Sequence, residues 1–138
     1  MSEYVPEKLR SLVIARASHC CEYCLMHDSD LIFSGHIDHI ISLKHEGPTE
    51  AGNLAYSCLV CNVNKGTDVA SYLREEDEYY PLFHPRRDNW HEHFYLQEGR
   101  IIAKTKIGEV TVRILQFNRT DRVQRRLLLE KVGRYPGK

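Results

Sequence analysis

Apolar residues at helical spacing predict one helix near each end of the chain. The first covers about residues 6–18, with Pro6 where a missing N–H group costs nothing. Its predicted buried stripe consists of Val5, Leu9, Leu12, Val13 and Ala17. The second helix follows Asn118, which with Asp121 resembles a capping box, and it ends at Gly133. Its predicted buried face consists of Val123, Leu127, Leu128 and Val132.

The pattern between these helices predicts a strand, a loop, a second strand and a short helix. Residues 37–41 alternate and are rich in β-branched side chains, which indicates a strand, and residues 53–57 indicate a return strand. The loop at 42–52 contains two glycines and a proline. A helical turn over 62–65 ends at Gly66. The whole segment is therefore predicted to form a ββα unit.

A hairpin is predicted further along the chain. Residues 94–96 and 100–104 are apolar segments that flank a turn at 97–99 containing a glycine. Residues 110–112 fit either a strand or a helix. These elements would form an extension behind the ββα unit.

Length and composition favour a single soluble globular domain. The chain has 138 residues, of which 42% are hydrophobic and 28% charged. No apolar run approaches the roughly 20 residues that cross a bilayer, so no membrane partner is expected. The first residues lack a basic and then apolar export pattern. We therefore expect a cytoplasmic protein.

The formal net charge is zero, but the charges are unevenly distributed. Residues 68–79 hold five acids against one arginine, whereas residues 119–138 hold seven Lys and Arg against two acids. A phosphate backbone responds to a local basic face rather than to the average charge. Overall neutrality is therefore compatible with a nucleic-acid partner.

Four of the five cysteines form two Cys-x-x-Cys pairs, at Cys21 and Cys24 and at Cys58 and Cys61. Without an export signal, this spacing favours Zn²⁺ over disulfides. Four thiolates fill a tetrahedral zinc site and leave no open position, so the metal would be structural. Cys20 could compete with Cys21, but packing as a free thiol is the favoured interpretation.

Polar residues between the two cysteine pairs suggest catalysis. A phosphodiester hydrolase needs a base to activate water and a cation to stabilise developing charge. His39 fits the base, and the oxygens of Asp38 and Asn62 fit a hard cation such as Mg²⁺. Asn53 is placed to hold the imidazole or its loop. A single His beside an Asp is commonplace, so the hypothesis of a catalytic site depends on the cysteine pairs that lie on either side of these residues.

Residues 21–66 resemble an HNH endonuclease domain of the zinc-bracketed ββα-metal type. The matching positions are Cys21, Cys24, Asp38, His39, Ile40, Asn53, Leu54, Cys58, Cys61, Asn62, Lys65 and Gly66. The resemblance implies that His39 is the general base, that Asp38 and Asn62 bind the catalytic Mg²⁺ or Mn²⁺, and that Asn53 orders the loop. Residues 82–94 more weakly resemble the C-terminal extension of small bacterial HNH proteins.

Two departures from the family pattern lie in the loop. Ser42 stands where the family usually has proline, and Glu46-Gly47 stands where two glycines are typical. Neither position carries the site chemistry, but both bear on the loop geometry. His36 could support the metal from the same strand face, or could be a polar residue at the strand edge.

Candidate nucleic-acid contacts lie outside the central chemistry. Lys65 could contact a phosphate or be solvated, and Arg86 and Arg87 could contact the backbone. The arginines of the last helix could also contact the backbone, but the favoured prediction for three of them is a solvated face: Arg122, Arg125 and Arg126.

The sequence thus predicts an α+β protein with a ββα-metal HNH core pinned by a four-cysteine zinc site. An N-terminal helix and a C-terminal hairpin-plus-helix extension would complete a single domain over 1–138, with its core at 18–67 and its extension at 79–138. The expected function is a metal-dependent DNA endonuclease that nicks one strand per site, with RNA as an open alternative substrate. A non-catalytic zinc-knuckle module that binds nucleic acid is the alternative function. The expected assembly is a monomer or a weak homodimer.

Overall fold

A computed structural model describes residues 4–138. This part of the chain forms five α-helices and six short strands. In chain order they are α1 (Glu7–Arg16), β1 (His36–His39), β2 (Leu54–Ser57), α2 (Leu59–Lys65), β3 (Ala70–Leu73), β4 (Glu78–Pro81), α3 (Trp90–His93), β5 (Phe94–Gln97), β6 (Arg100–Ala103), α4 (Lys106–Ile114) and α5 (Thr120–Lys131). Every helix in residues 4–138 is too short or too polar to cross a lipid bilayer.

The strands pair as three separate antiparallel hairpins, β1 with β2, β3 with β4 and β5 with β6. In the first hairpin His36 lies opposite Ser57 and His39 lies opposite Leu54. The helix α2 follows β2 directly and packs against β1. Small antiparallel hairpins mixed with helices confirm the predicted α+β class and the predicted ββα unit.

The first helix packs on β2, with a narrower apolar face than predicted. Val13 and Ala17 are fully buried against Leu54 and Tyr56. Leu12 is 49% exposed, so the prediction that it belongs to the buried stripe is wrong. Because α1 is covered along one side only, apolar residues beyond that side remain in solvent.

The largest core joins the cysteine segment to the C-terminal part of the chain. The Trp90 indole donates to the Tyr23 carbonyl at 2.8 Å, and the Tyr135 hydroxyl donates to the Cys24 carbonyl at 2.7 Å. The aromatic rings of this core are Tyr23, Phe83, Trp90, Phe94, Phe117 and Tyr135. The segment around Cys21–Cys24 is therefore buried beneath the extension.

The predicted hairpin is confirmed by β5 and β6, in which Gln97 pairs with Arg100. Residues 110–112, for which the sequence allowed either type of element, are helical and belong to α4. Thr105 caps this helix by accepting from Gly108 N at 3.0 Å.

The start of the last helix differs from the prediction. The N-cap of α5 is Arg119, without a side-chain capping bond, so the predicted capping box at Asn118 is wrong. The Asn118 side chain instead pairs with the backbone of Ile101, accepting from its N–H and donating to its carbonyl, both at 2.9 Å. Asn118 thus attaches the segment before α5 to the hairpin.

The buried face of α5 also differs from the prediction. Leu128 and Val132 are 64% and 68% exposed, whereas Arg122 and Arg126 are buried. Arg126 donates from Nε to the Gly99 carbonyl and from Nη2 to the Phe117 carbonyl, both at 2.6 Å. The prediction of a solvated arginine face is therefore wrong for these two residues. Buried carbonyls that need donors explain why arginine, rather than leucine, faces inward.

Candidate metal and active sites

Two Cys-x-x-Cys turns converge on a buried cluster of four thiols: Cys21, Cys24, Cys58 and Cys61. The four Sγ atoms lie within 4.8 Å of one another, and Cys24 Sγ is 3.7 Å from Cys58 Sγ. A tetrahedron with Zn–S bonds of about 2.3 Å has an edge of about 3.8 Å. The cysteines are free thiols. The cluster is therefore positioned to bind a metal ion and fits zinc.

Backbone amides support the sulfurs from within each turn. Cys24 N donates to Cys21 Sγ and Cys61 N donates to Cys58 Sγ, each at 3.4 Å. Burial raises the pKa of Cys21 and Cys61, whereas hydrogen bonds from the three neighbouring thiols lower the pKa of Cys24. A metal ion binds thiolates, so its binding must release the remaining protons.

Cys20 lies outside this cluster. It is buried, and its thiol donates to the Ser18 carbonyl at 3.4 Å. The prediction of a packed thiol is confirmed.

Arg122 reaches the cluster from α5, which the sequence did not predict. Its Nη2 group donates to Cys61 Sγ at 3.1 Å and lies 3.9 Å from Cys58 Sγ. Burial acts to lower the pKa of Arg122, but the nearby sulfurs, Cys61 first among them, raise it above its ordinary value. Its position in the sequence gives no sign of this contact, because 61 residues separate it from Cys61.

Asp38 is the buried acid of the candidate active site, with 5% of its surface exposed. Its Oδ2 accepts from the Tyr23 hydroxyl at 2.7 Å and lies 3.2 Å from Lys65 Nζ. Burial raises the pKa of Asp38, and Lys65 and Tyr23 only partly oppose that shift. Tyr23, in the middle of the first cysteine turn, was not singled out by the sequence.

Lys65 points into the protein rather than outward. It is 2% exposed, and its ammonium also donates to the His39 carbonyl at 3.2 Å. The alternative of a solvated lysine is therefore wrong, and a phosphate contact would require the Lys65 ammonium to leave Asp38. In this structure Lys65 neutralises Asp38.

His39 ends β1 and lies half-buried beside the loop. Its Nε2 atom is 2.9 Å from Thr49 Oγ1, a partner that the sequence did not suggest. Thr49 lies in the loop that also contains Ser42 and Glu46, so this loop orients the imidazole ring of His39.

Asn53 fastens that loop to the end of β1. Its Oδ1 accepts from Ile41 N, and its Nδ2 donates to the carbonyls of Ile41 and Pro48, all at 2.9 Å. A Cβ atom at Gly47 would lie 1.7 Å from the Ile41 carbonyl oxygen and 2.9 Å from Asn53 Nδ2. Glycine is therefore required at 47, where the backbone passes closest to this network.

Asn62 lies half-buried on α2, directly after Cys61. The packing of α2 against β1 brings its helix beside the strand that carries Asp38 and His39. Within residues 4–138, the four cysteines form the only close group of three or more His, Cys, Asp or Glu ligands. Within those residues, a cation at Asp38 would therefore have at most one further His, Cys, Asp or Glu ligand.

The two predicted backbone-contacting arginines have different surroundings. The Arg86 guanidinium forms an ion pair with Glu22 and is largely covered, whereas Arg87 is exposed. His36 lies half-buried at the first position of β1. Of these residues, Arg87 is the one whose charge faces solvent.

Comparison with protein families agrees with this geometry. Residues 21–68, about a third of the chain, match the family model described as HNH endonuclease. No curated protein and no solved structure matches the chain. Residues 21–68, which contain the ββα unit and the cysteine cluster, are therefore similar to an HNH endonuclease domain, which confirms the resemblance seen in the sequence. This similarity suggests a nuclease-type function.

Proposed function

We propose that this protein is a metal-dependent endonuclease that hydrolyses phosphodiester bonds in DNA. The observation that carries the proposal is the ββα unit within the HNH-matched segment. It places Asp38 and His39 on one strand, with Asn62 on the helix packed beside it. The four cysteines would hold a structural Zn²⁺ beneath this unit, and the proposed domain covers residues 1–138.

His39 is the proposed general base. In a neutral imidazole one nitrogen donates and the other accepts a hydrogen bond. If Nε2–H donates to Thr49 Oγ1, 2.9 Å away, Nδ1 is the atom that takes the proton from the attacking water. Asn53 supports this arrangement indirectly, because it fixes the loop that carries Thr49.

Asp38 and Asn62 are the proposed ligands of the catalytic Mg²⁺ or Mn²⁺. Carboxylate and carboxamide oxygens suit a hard cation, and a carboxylate has about four lone-pair positions, of which Tyr23 and Lys65 do not use all. A bound cation would stabilise the negative charge that develops at the phosphate. It must share Asp38 with Lys65 or displace the lysine ammonium.

The proposed reaction cuts one strand at a time and leaves 5′-phosphate and 3′-hydroxyl ends. One ββα site carries one base, so double-strand cleavage would require a homodimer or two successive events. Arg87, with its exposed guanidinium, is the proposed backbone contact. Such a contact would position the substrate without selecting a sequence.

Plasmid nicking tests the proposal. His39→Ala should lower the rate of Mg²⁺- or Mn²⁺-dependent nicking by about 10²–10⁴-fold, the usual contribution of a general base. His45→Ala is the matched control, because His45 lies on the same loop with its side chain in solvent. Zinc content and circular dichroism should be unchanged in both variants. Equal nicking by the His39 variant and the wild type would refute the proposed base.

A non-catalytic module that binds nucleic acid is the second candidate. The observation that favours it is the burial of Asp38 and its neutralisation by Lys65. Wild-type protein that shifts DNA in a gel but nicks none, with either cation, would support this candidate over the nuclease.

A further inference from the structure

The guanidinium of Arg122 lies at a point where three parts of the chain meet. Its Nη2 group contacts the sulfur of Cys61, and its Nη1 group donates to the carbonyls of Leu115 and Gln116 at 2.7 and 3.1 Å. The guanidinium carbon also lies 5.8 Å from the centre of the Phe117 ring. One side chain thus connects α5, the end of α4 and the cysteine cluster.

A four-thiolate zinc site carries excess charge that the fold must accommodate. Four thiolates around a divalent cation leave a net charge of about −2. A charge buried without a partner is costly, because the protein interior replaces little of the solvation that it loses. Arg122 is buried at this cluster and supplies one positive charge.

The hydrogen bonds to the sulfurs show why the position of Arg122 matters. Backbone amides donate to the first cysteine of each turn, Cys21 and Cys58. Cys61, a second cysteine, receives its donor from Arg122. This contact therefore supplies a bond that the Cys-x-x-Cys turn does not provide itself.

We propose that Arg122 is a positioning residue of the zinc centre, holding the Cys61 thiolate and neutralising half of the net charge of the site. This inference rests on the proposed binding of zinc by the four cysteines. It extends the metal centre beyond the segment that matches the HNH family and makes α5 part of it. Loss of Arg122 should therefore weaken zinc retention specifically, in addition to any effect on the fold.

Arginine suits this position better than lysine. Its planar fork can donate to a sulfur through one nitrogen and to two carbonyls through the other, whereas an ammonium is a single point of charge. Arg122→Lys should keep the charge and lose part of the fork. Arg122→Gln should lose the charge altogether.

The control is Arg126, one helical turn further along α5. It is buried, like Arg122, but it donates to the carbonyls of Gly99 and Phe117 and to the Asn118 side chain, and none of these acceptors is a sulfur. Arg126→Gln should therefore destabilise the fold without removing a hydrogen bond to the metal site. The two variants separate a role at the metal from a role in packing.

The experiment measures zinc release from the full-length protein into excess chelator. Arg122→Gln should release zinc about 10–100-fold faster than wild type, the usual effect of removing an outer-shell partner. Arg126→Gln should release it at the wild-type rate. With Co²⁺ in place of zinc, the thiolate-to-metal absorption band should shift in Arg122→Gln and remain in place in Arg126→Gln.

Two outcomes would overturn the role of Arg122 and leave the proposed zinc site intact. In the first, Arg122→Gln releases zinc at the wild-type rate. In the second, Arg122→Gln and Arg126→Gln accelerate zinc release equally. If Arg122→Gln does not fold, Arg122→Lys and Arg126→Lys replace the pair, and faster release from Arg122→Lys alone is the expected result. Equal release from the two lysine variants overturns the inference. Wild-type protein purified without zinc, and unable to bind it, overturns the proposed zinc site and the inference with it.

Discussion

Glu46 adopts a backbone conformation that favours glycine. Its φ is +64°, in the left-handed region, and it ends the short turn at 43–45 within the loop that carries Thr49. This is the position where the HNH resemblance leads one to expect glycine. The departure from the family pattern therefore puts a residue with a Cβ atom into a backbone conformation that favours glycine.

Replacing Glu46 with glycine should stabilise the protein relative to Glu46→Ala. The left-handed conformation costs a residue with a Cβ atom about 1 kcal/mol, and both substitutions remove the same exposed carboxylate. We expect the free energy of unfolding of Glu46→Gly to exceed that of Glu46→Ala by about 0.5–1 kcal/mol in urea denaturation. Equal stability of the two variants would show that the loop relaxes to accommodate a Cβ atom.

At the scale of elements, α5 buries other side chains than those that its apolar pattern predicts. Its leucines were expected to face the core, but Leu128 lies in solvent while two arginines face inward. The reason is the surface that the helix covers, which presents carbonyl oxygens and sulfurs that require donors. Leucine cannot satisfy those groups.

The exposure of Leu128 gives a direct prediction. Leu128→Ala should change the free energy of unfolding by no more than about 0.5 kcal/mol, as for an ordinary surface position. Leu115→Ala, the same chemical change at a fully buried position, should cost about 2–5 kcal/mol. Chemical denaturation of both variants checks the pair. A large loss of stability from Leu128→Ala would instead support the apolar face predicted from the sequence.

At the scale of the whole molecule, the core and the extension share one apolar interior. Trp90, the single tryptophan, bonds to the backbone of the first cysteine turn, and the Tyr135 hydroxyl bonds to the second residue of that cysteine pair. A metal ion in the cysteine cluster would thus stabilise residues far from it in sequence. We propose on this basis that residues 1–138 unfold as one domain.

Zinc removal tests this proposal. Trp90 fluorescence reports on the extension where it packs on the cysteine turn, and far-ultraviolet circular dichroism reports on all helices. If the chain unfolds as one domain, both signals should give the same denaturation midpoint. A chelator should lower both midpoints together, since a ligand of the folded state stabilises it by mass action. Acidification should act in the same direction, because protons compete with zinc for the thiolates. Two separate transitions would contradict a single domain.

Local features of the sequence determined the local features of this protein. The Cys-x-x-Cys spacing, the alternation at 37–41, and the turn glycines at 66, 99 and 133 predicted the metal cluster, the ββα unit and the ends of its neighbouring elements. Each depends on residues close together along the chain, so a short pattern contains the necessary information. The candidate site residues Asp38, His39 and Asn62 were inferred from the same short segment and remain a prediction.

Only the tertiary structure decided which charged side chains are buried. Lys65 reaches Asp38 across 27 positions, and Arg122 reaches Cys61 across 61. A lysine or arginine is buried when the fold brings it a carboxylate, a thiolate or unsatisfied carbonyls, and helical periodicity carries no information about those partners. For the same reason the sequence predicted the four-cysteine cluster and missed Arg122, the residue from α5 that contacts it.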